Sequence, residues 1–440
     1  MELLTLFIAI LFIIIATVRF KMNPVLSLTL AAVFSGLMLG MDSTKIVSTL
    51  GEGFGKTLSG IGLVIAFGTI IGVFLEKTGS TKILANSILS LIGLKRSPLA
   101  LNLAGFVISI PVFCDSGFVI LSSLNKALSK KSGVPVMVFA IALATGLYSA
   151  HVFVPPTPGP LAAAAVLEAD LGLVMILGLA TAIPVSLAGY FWARYIGKSL
   201  KEQEKKEHAV TEEDTEVPNI KPILAFLPLL APVLLIALKS IADYPTHPFG
   251  EGIVFKVLGF IGSPIIALLI GVFFAFPLAR GVKSKERNTW VSSALKQAGA
   301  IVLITGAGGA FGAILRSMDI ASIFDIGEAS GTTGLLICFA IAAVLKTAQG
   351  SSTVSIITTA AIIAPLLGTF GLESLTDKAL SVLAVGAGAM TVSHINDSYF
   401  WVVSQFSNMD MKTALRGHTV ATFFQGLTGL LVIIVLHALL

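Results

Sequence analysis

Residues 196–221, IGKSLKEQEKKEHAVTEEDTEVPNIK, hold 12 of the chain's 53 charged residues (29 Lys and Arg, 24 Asp and Glu) in 26 positions. The other 414 residues share 41 charges, about one in ten. No hydrophobic period runs through the stretch, so it reads as a solvated linker near the midpoint of the chain. On both sides the sequence is apolar: of 440 residues, 55% are hydrophobic and 12% charged. A soluble domain carries about 25% charge. This composition excludes a cytosolic globular enzyme and a disordered protein. The formal net charge is +5 and the pI near 9.1, yet the basic residues gather on no soluble module, which excludes nucleic acid as a partner. Two cysteines exclude a disulfide scaffold, a four-cysteine zinc site and a cysteine-ligated iron–sulfur cluster. The linker therefore divides an all-α integral membrane protein into 1–195 and 222–440.

A helix crossing the hydrocarbon layer needs about 20 apolar residues. Candidate spans are 2–18, 24–41, 57–75, 134–150, 171–193, 223–241, 257–279, 299–315, 333–346, 379–393 and 418–440. Segment 2–18 lacks the basic n-region of a signal peptide, and Arg19 and Lys21 follow it instead. Two more apolar stretches, 83–125 and 347–370, are interrupted by polar and turn residues. They are predicted to be re-entrant hairpins, giving about 11 to 14 transmembrane segments in all.

The two sides of the linker resemble each other. Pro24 and Pro264 each open an apolar run, and Gly68 with Gly308 and Gly72 with Gly312 recur at the same offset of 240. SAHV (149–152) and VSHI (392–395) set His151 against His394 at an offset of 243. Two repeats about a charged linker are the sequence signature of a secondary transporter. Lys and Arg collect in cytoplasmic loops. They crowd the linker and residues 280–287, and they follow the first span at Arg19 and Lys21, whereas 239–256 holds only Lys239 and Lys256. The repeats are thus expected to be inverted, with the linker cytoplasmic and both termini outside.

A strongly polar group at membrane depth is a functional hypothesis by default, and four constellations qualify. In Pro111-Val112-Phe113-Cys114-Asp115-Ser116-Gly117-Phe118, Pro111 and Gly117 would break the helix, and its restart would offer free N–H groups to an anion. Asp115 is the one carboxylate there, and a buried carboxyl can carry a proton; the bland alternative is a surface N-cap. Gln349-Gly350-Ser351-Ser352-Thr353 supplies hydrogen-bonding groups for a hydroxylated anion, or else small residues for helix packing. Ser149-Ala150-His151 leads into Pro155-Pro156-Thr157-Pro158-Gly159-Pro160, whose prolines forbid helix and line a cavity or form an outer loop. In Ser393-His394-Ile395-Asn396-Asp397-Ser398, His394 and Asp397 could share one helical face; the alternative is a loop beside an interfacial aromatic belt. Gly51–Thr57 imitates a phosphate-binding loop but has the wrong spacing and no preceding strand. No metal-ligand or nucleophile motif is present, so neither metal, cofactor nor enzymatic activity is expected.

These motifs together resemble the gluconate permease (GntP) family nearly end to end. The likeness is strongest in Gly117-Phe118-Val119, in Pro155-Pro156 with Pro158-Gly159-Pro160, and in Ser393-His394 with Asn396-Asp397. The resemblance implies a bacterial inner-membrane carrier that imports gluconate, or a related small hydroxy or amino acid such as D-serine, by proton symport. Its fold would be two inverted repeats with two re-entrant hairpins. Its partners would be a small carboxylate, protons and the lipid bilayer, and dimerisation follows by analogy with carriers that have moving elements. The gluconate carriers have Glu where this chain has Asp115, an apolar residue at Ser116 and His at Thr157, changes that favour a shorter acid such as glycerate. The site expected on this basis binds substrate through Ser116, Gly117, His151, Thr157, Gln349, Gly350, Ser351, Ser352, Thr353, His394 and Asn396. It couples protons through Asp115 or Asp397. A sodium-coupled organic-anion carrier would use the same hairpins.

Overall fold

The computed structural model describes residues 2–200, 220–243, 250, 252–315, 331–395 and 397–440. Most of the charged linker, and Asn396, lie outside the described residues. Among the described residues there are helices and turns and no strand. Before the linker run α1 (Glu2–Val18), α2 (Pro24–Met38), α3 (Ser43–Lys77), α4 (Ser80–Ile92), α5 (Ser97–Ile108), α6 (Cys114–Ser132), α7 (Val136–Phe153), α8 (Pro158–Val166) and α9 (Leu171–Leu200). After it come α10 (Pro222–Ala242), α11 (Ile253–Ile261), α12 (Pro264–Ala275), α13 (Ser284–Leu315), α14 (Gly331–Gln349) and α15 (Ser352–Ile363). The chain closes with α16 (Leu375–Met390), α17 (Ser398–Phe406), α18 (Met411–Ala414) and α19 (Val420–Leu439), and a π-helical turn over Leu415–Thr419 joins the last two. Among the described residues six helices are long and apolar enough to cross a membrane, or nine if three bent pairs each count as one span.

The boundaries follow local chemistry. Prolines occupy the first turn of α2, α5, α8, α10 and α12, where the missing N–H costs nothing. Asn23, Asp42, Ser351, Ser374, Asp397 and Asp410 cap their helices by side-chain acceptance of a backbone N–H. Helix starts recur through the two halves: Pro24 and Pro264 (240 apart), Ser43 and Ser284 (241), Cys114 and Ser352 (238), Val136 and Leu375 (239), Pro158 and Ser398 (240), Leu171 and Met411 (240).

Three local expectations are corrected. The run Pro155–Pro160 does not forbid helix, because α8 begins inside it at Pro158. Both Pro158 and Pro160 fall in its first turn, where proline is tolerated. Gly117 does not break α6 but sits within it, and a Cβ there would meet Leu147 Cδ2 at 2.7 Å. The break between α5 and α6 lies at 109–113. His394 and Asp397 share no helical face, since α16 ends at Met390 and α17 starts at Ser398. His151, by contrast, is inside α7, so the two histidines occupy different places relative to their helix ends.

The core centres on α7, which is buried on nearly every face, as a helix apolar all round must be. Asn102 of α5 ties it to α9: its Nδ2 donates to Ala142 O (2.8 Å), Thr145 Oγ1 (3.3 Å) and Ser186 O (3.3 Å), and its Oδ1 accepts from Ser186 Oγ (2.9 Å). The long helices α3 and α13 pack together through glycines, which let backbones approach closely. Gly309 lies over Gly53 O, 2.8 Å from where a Cβ would stand, and Gly306 lies over the ring of Phe54.

Candidate functional site

Helix α3 serves as a ruler into the protein. A Cβ on Gly68 would touch Pro156 at 3.4 Å, and one on Gly72 would meet Pro111 O at 2.5 Å. Both helix breaks of the first half therefore rest on the glycine face of α3. Eight to twelve residues before Gly68, about 12–18 Å along the chain of the helix, Gly60, Thr57 and Lys56 line an open cleft of about 240 Å³. Its opposite wall is Leu161, Ala164, Ala165 and Glu168, along and just beyond α8. Lys56 Nζ donates to Glu168 Oε1 at 2.7 Å across it. The N-terminus of α8, at Thr157 and Pro158, points the other way, toward the breaks.

There the N-termini of four helices, α6, α8, α15 and α17, come together. Phe113, the N-cap of α6, has its ring 6.0 Å from that of His151. Gly159, in the first turn of α8, would set a Cβ 2.8 Å from Ile356 Cδ1 of α15. Phe118 of α6 meets Tyr399 of α17 edge-on at 6.3 Å. Helix N-termini expose unpaired N–H groups and the positive end of the helix dipole, so such a cluster favours an anion.

The charges sit among these ends. Lys346, at the last turn of α14, is 1% exposed and Asp397 is 3% exposed. Lys346 Nζ donates to Asp397 Oδ2 at 2.6 Å and to Gly350 O at 3.0 Å. The lysine thereby joins the cap of α17 to the turn that opens α15, where Gly350 takes a φ of +80° that suits glycine. Asp397 Oδ1 accepts from Tyr399 N (3.1 Å), and Ser393 Oγ donates to Oδ2. His418, in the π-helical turn, places Nε2 3.1 Å from Ser393 Oγ. The ring of Tyr148 lies 5.9 Å from Lys346 Nζ, and its hydroxyl donates to Ala389 O at 3.4 Å. A third ionisable group completes the set: Asp115, in the first turn of α6, feels both Lys346 and Asp397 electrostatically. Its Oδ1 is buried without a hydrogen-bond partner.

The expected residues fare unequally. Asp115 and Asp397 both belong to the cluster, and Ser116 and Gly117 follow Asp115 in the same helix. Gly350 is in it through its carbonyl, Ser351 caps α15 by accepting from Val354 N (3.3 Å), and Ser352 and Thr353 form its first turn. Gln349 is the last residue of α14. Thr157 is buried, and its hydroxyl donates to Val154 O at 2.6 Å. His151 is buried, and its Nδ1 has no partner. His394 points elsewhere: its Nε2 pairs with Thr347 O at 2.9 Å. Asn396 lies outside the described residues. The sequence reading missed Lys346 and His418, and it named Ser393 without giving it a role. Lys346 carried the one usable signal, a lysine between an apolar run and the polar Gln349–Thr353 with no acid nearby in sequence.

Among the described residues no group of His, Cys, Asp or Glu could hold a metal ion, and Cys114 and Cys338 are buried and free. A multi-helix membrane fold with a buried charge cluster among helix N-termini has the features of a solute carrier. The pattern shared by GntP family permeases matches residues 1–440, and the chain belongs to that family. It is 34% identical to a gluconate permease of Pseudomonas aeruginosa, over 97% of this chain and 95% of that one. It is 32% identical to a high-affinity gluconate transporter of Escherichia coli, over 98% of each. An Escherichia coli D-serine transporter is 31% identical, over 97% and 96%. In fold it is similar to the Alcanivorax borkumensis YdaH transporter, with a TM-score of 0.65 at 15% identity over 90% of both chains.

Proposed function

We propose that this permease imports gluconate or a related small hydroxylated monocarboxylate by proton symport across the bacterial inner membrane. The observation that carries the reading is the buried, unpartnered Oδ1 of Asp115 beside the Lys346–Asp397 pair. With both carboxylates ionised, the three groups sum to −1. Adding a substrate anion would bring the cluster to −2 in a medium of low dielectric. Adding a proton at Asp115 with the anion keeps it at −1. Coupling then follows from electrostatics alone: anion and proton enter together because either by itself changes the buried charge.

The substrate carboxylate rests against N–H groups and hydroxyls at Ser116 and Ser351–Thr353, with Thr157, Gln349 and His151 toward its hydroxyls. The recurrence of helix starts about 240 residues apart supports two repeated halves, 1–195 and 222–440, which we read as inverted and whose relative movement gives alternating access. The basic loops favour a cytoplasmic linker and outer termini. The relatives' names support a sugar acid, and the short Asp115 with the hydroxyl of Ser116 favours the smaller members of that class, glycerate or D-serine included.

Uptake into proteoliposomes with gluconate, glycerate and D-serine, under an imposed pH or sodium gradient, tests this. Saturable uptake of one of them that follows the pH gradient is expected. Uptake driven by sodium, or by neither gradient, would overturn the coupling.

A further inference from the structure

Among the described residues Lys346 is the one buried cation of the cluster, and the reading above gives it a place in the charge balance but no contact with the substrate. An ammonium has three N–H donors. Among the described residues, Lys346 uses two, to Asp397 Oδ2 and Gly350 O. One donor therefore remains, at the junction of the α15 and α17 N-termini. A lone ion pair this deep is a poor stabiliser, because desolvating both partners offsets their attraction. Its Asp397 partner is also held independently, by Ser393 Oγ and Tyr399 N, so the carboxylate does not need the lysine to stay in place.

We propose that Lys346 is the residue that receives the substrate's carboxylate, with Asp397 as its resident carboxylate partner between transport cycles. The substrate acid takes the free N–H of Lys346 and competes with Asp397 for the others. The hydroxylated remainder of the substrate then extends along the α15 N-terminus. This assigns the anion specificity of the site to a side chain and not to backbone dipoles alone. It rests on the carboxylate-transport reading and goes beyond it.

The test uses Lys346→Gln, Lys346→Arg, Asp397→Asn and the double variant Lys346→Gln/Asp397→Asn, purified as full chains. Each is measured for binding and counterflow with gluconate and gluconamide, and with glycerate and glyceramide. Wild type should bind the acid well above its amide. Loss of one charge-assisted hydrogen bond should weaken acid binding by about 10- to 100-fold in Lys346→Gln and leave amide binding within about twofold. Lys346→Arg should keep the preference for acid, and Asp397→Asn should bind acid as tightly as wild type or tighter. The double variant removes both members of the ion pair together and keeps the cluster at its wild-type net charge of −1, carried by Asp115, so it serves as the folded control, and it should stay indifferent between acid and amide. If the pair is only structural, the double variant regains acid preference and counterflow, and that result overturns the proposal. If wild type takes up neither acid, the substrate reading falls separately. Acid preference is then read by thermal stabilisation with monocarboxylates from acetate to gluconate, and wild-type indifference to all of them overturns this inference too.

Discussion

Asp115→Asn is the sharpest probe of coupling, because asparagine copies the shape of the protonated acid and removes its exchangeable proton. The buried Oδ1 has no partner to lose, so the fold should survive. An anion docked about 6 Å from an ionised carboxylate, at an effective dielectric of about 20, is repelled by about 3 kcal/mol. The variant lacks that repulsion at every pH and should bind substrate without a proton. One proton carried with one monovalent anion is electroneutral, so wild type should accumulate substrate about tenfold per unit of pH gradient. The variant should show no accumulation from the pH gradient, while counterflow at equal pH continues. It becomes a carrier of bare anion, so an interior potential of −100 mV should deplete substrate from the lumen by about 50-fold. The assay is uptake in proteoliposomes with pH gradient and potential set separately by ionophores. Full pH-driven accumulation by Asp115→Asn would refute the assignment and move the proton to Asp397.

Gly146→Ala places a Cβ against the Asn102 carbonyl oxygen, which is backbone and cannot swing aside. About 1–3 kcal/mol of stability should be lost, whereas Gly51→Ala, with nothing within 4 Å, should not destabilise; thermal unfolding in detergent compares them. Asn102→Ala strips the ties among α5, α7 and α9 and leaves Ser186 Oγ without its acceptor, at a cost of about 2–4 kcal/mol on the same measurement. Lys56 and Glu168 form an exposed pair (side chains 72% and 45% exposed), so Lys56→Ala should change stability by less than about 0.5 kcal/mol. Lys56→Glu, however, reverses a charge in the cleft, and the half-saturating concentration of an anionic substrate should rise about two- to fivefold at low salt and converge on wild type at high salt.

What the sequence disclosed and what it hid divide along one physical line. Lipid forces spans to be apolar and of fixed length, so α1 is bounded in the sequence where the structure bounds it, α10 and α19 nearly so, and α9 at its start. Asp115 was legible for the same reason: a carboxylate with no neighbour inside an apolar stretch is costly wherever the chain goes, so its presence argues for use. Lys346 carries the same cost and was not seen. A lysine at the end of an apolar run also reads as an anchor whose stem lies in lipid while its head reaches water. The two cases differ only in where the helix end lies. The α14 end is turned inward, against a cap 51 residues further on, and no local pattern encodes that. His418 was hidden likewise, at what reads as the edge of the last span. Prolines misled in the opposite sense, since Pro158 and Pro160 start a helix that their number seemed to forbid. Local rules thus find elements and isolated costs. A site whose chemistry consists of helix ends meeting one another is written only in the tertiary fold, and so of the decisive charge pair here the sequence singled out Asp397 and hid the lysine that faces it.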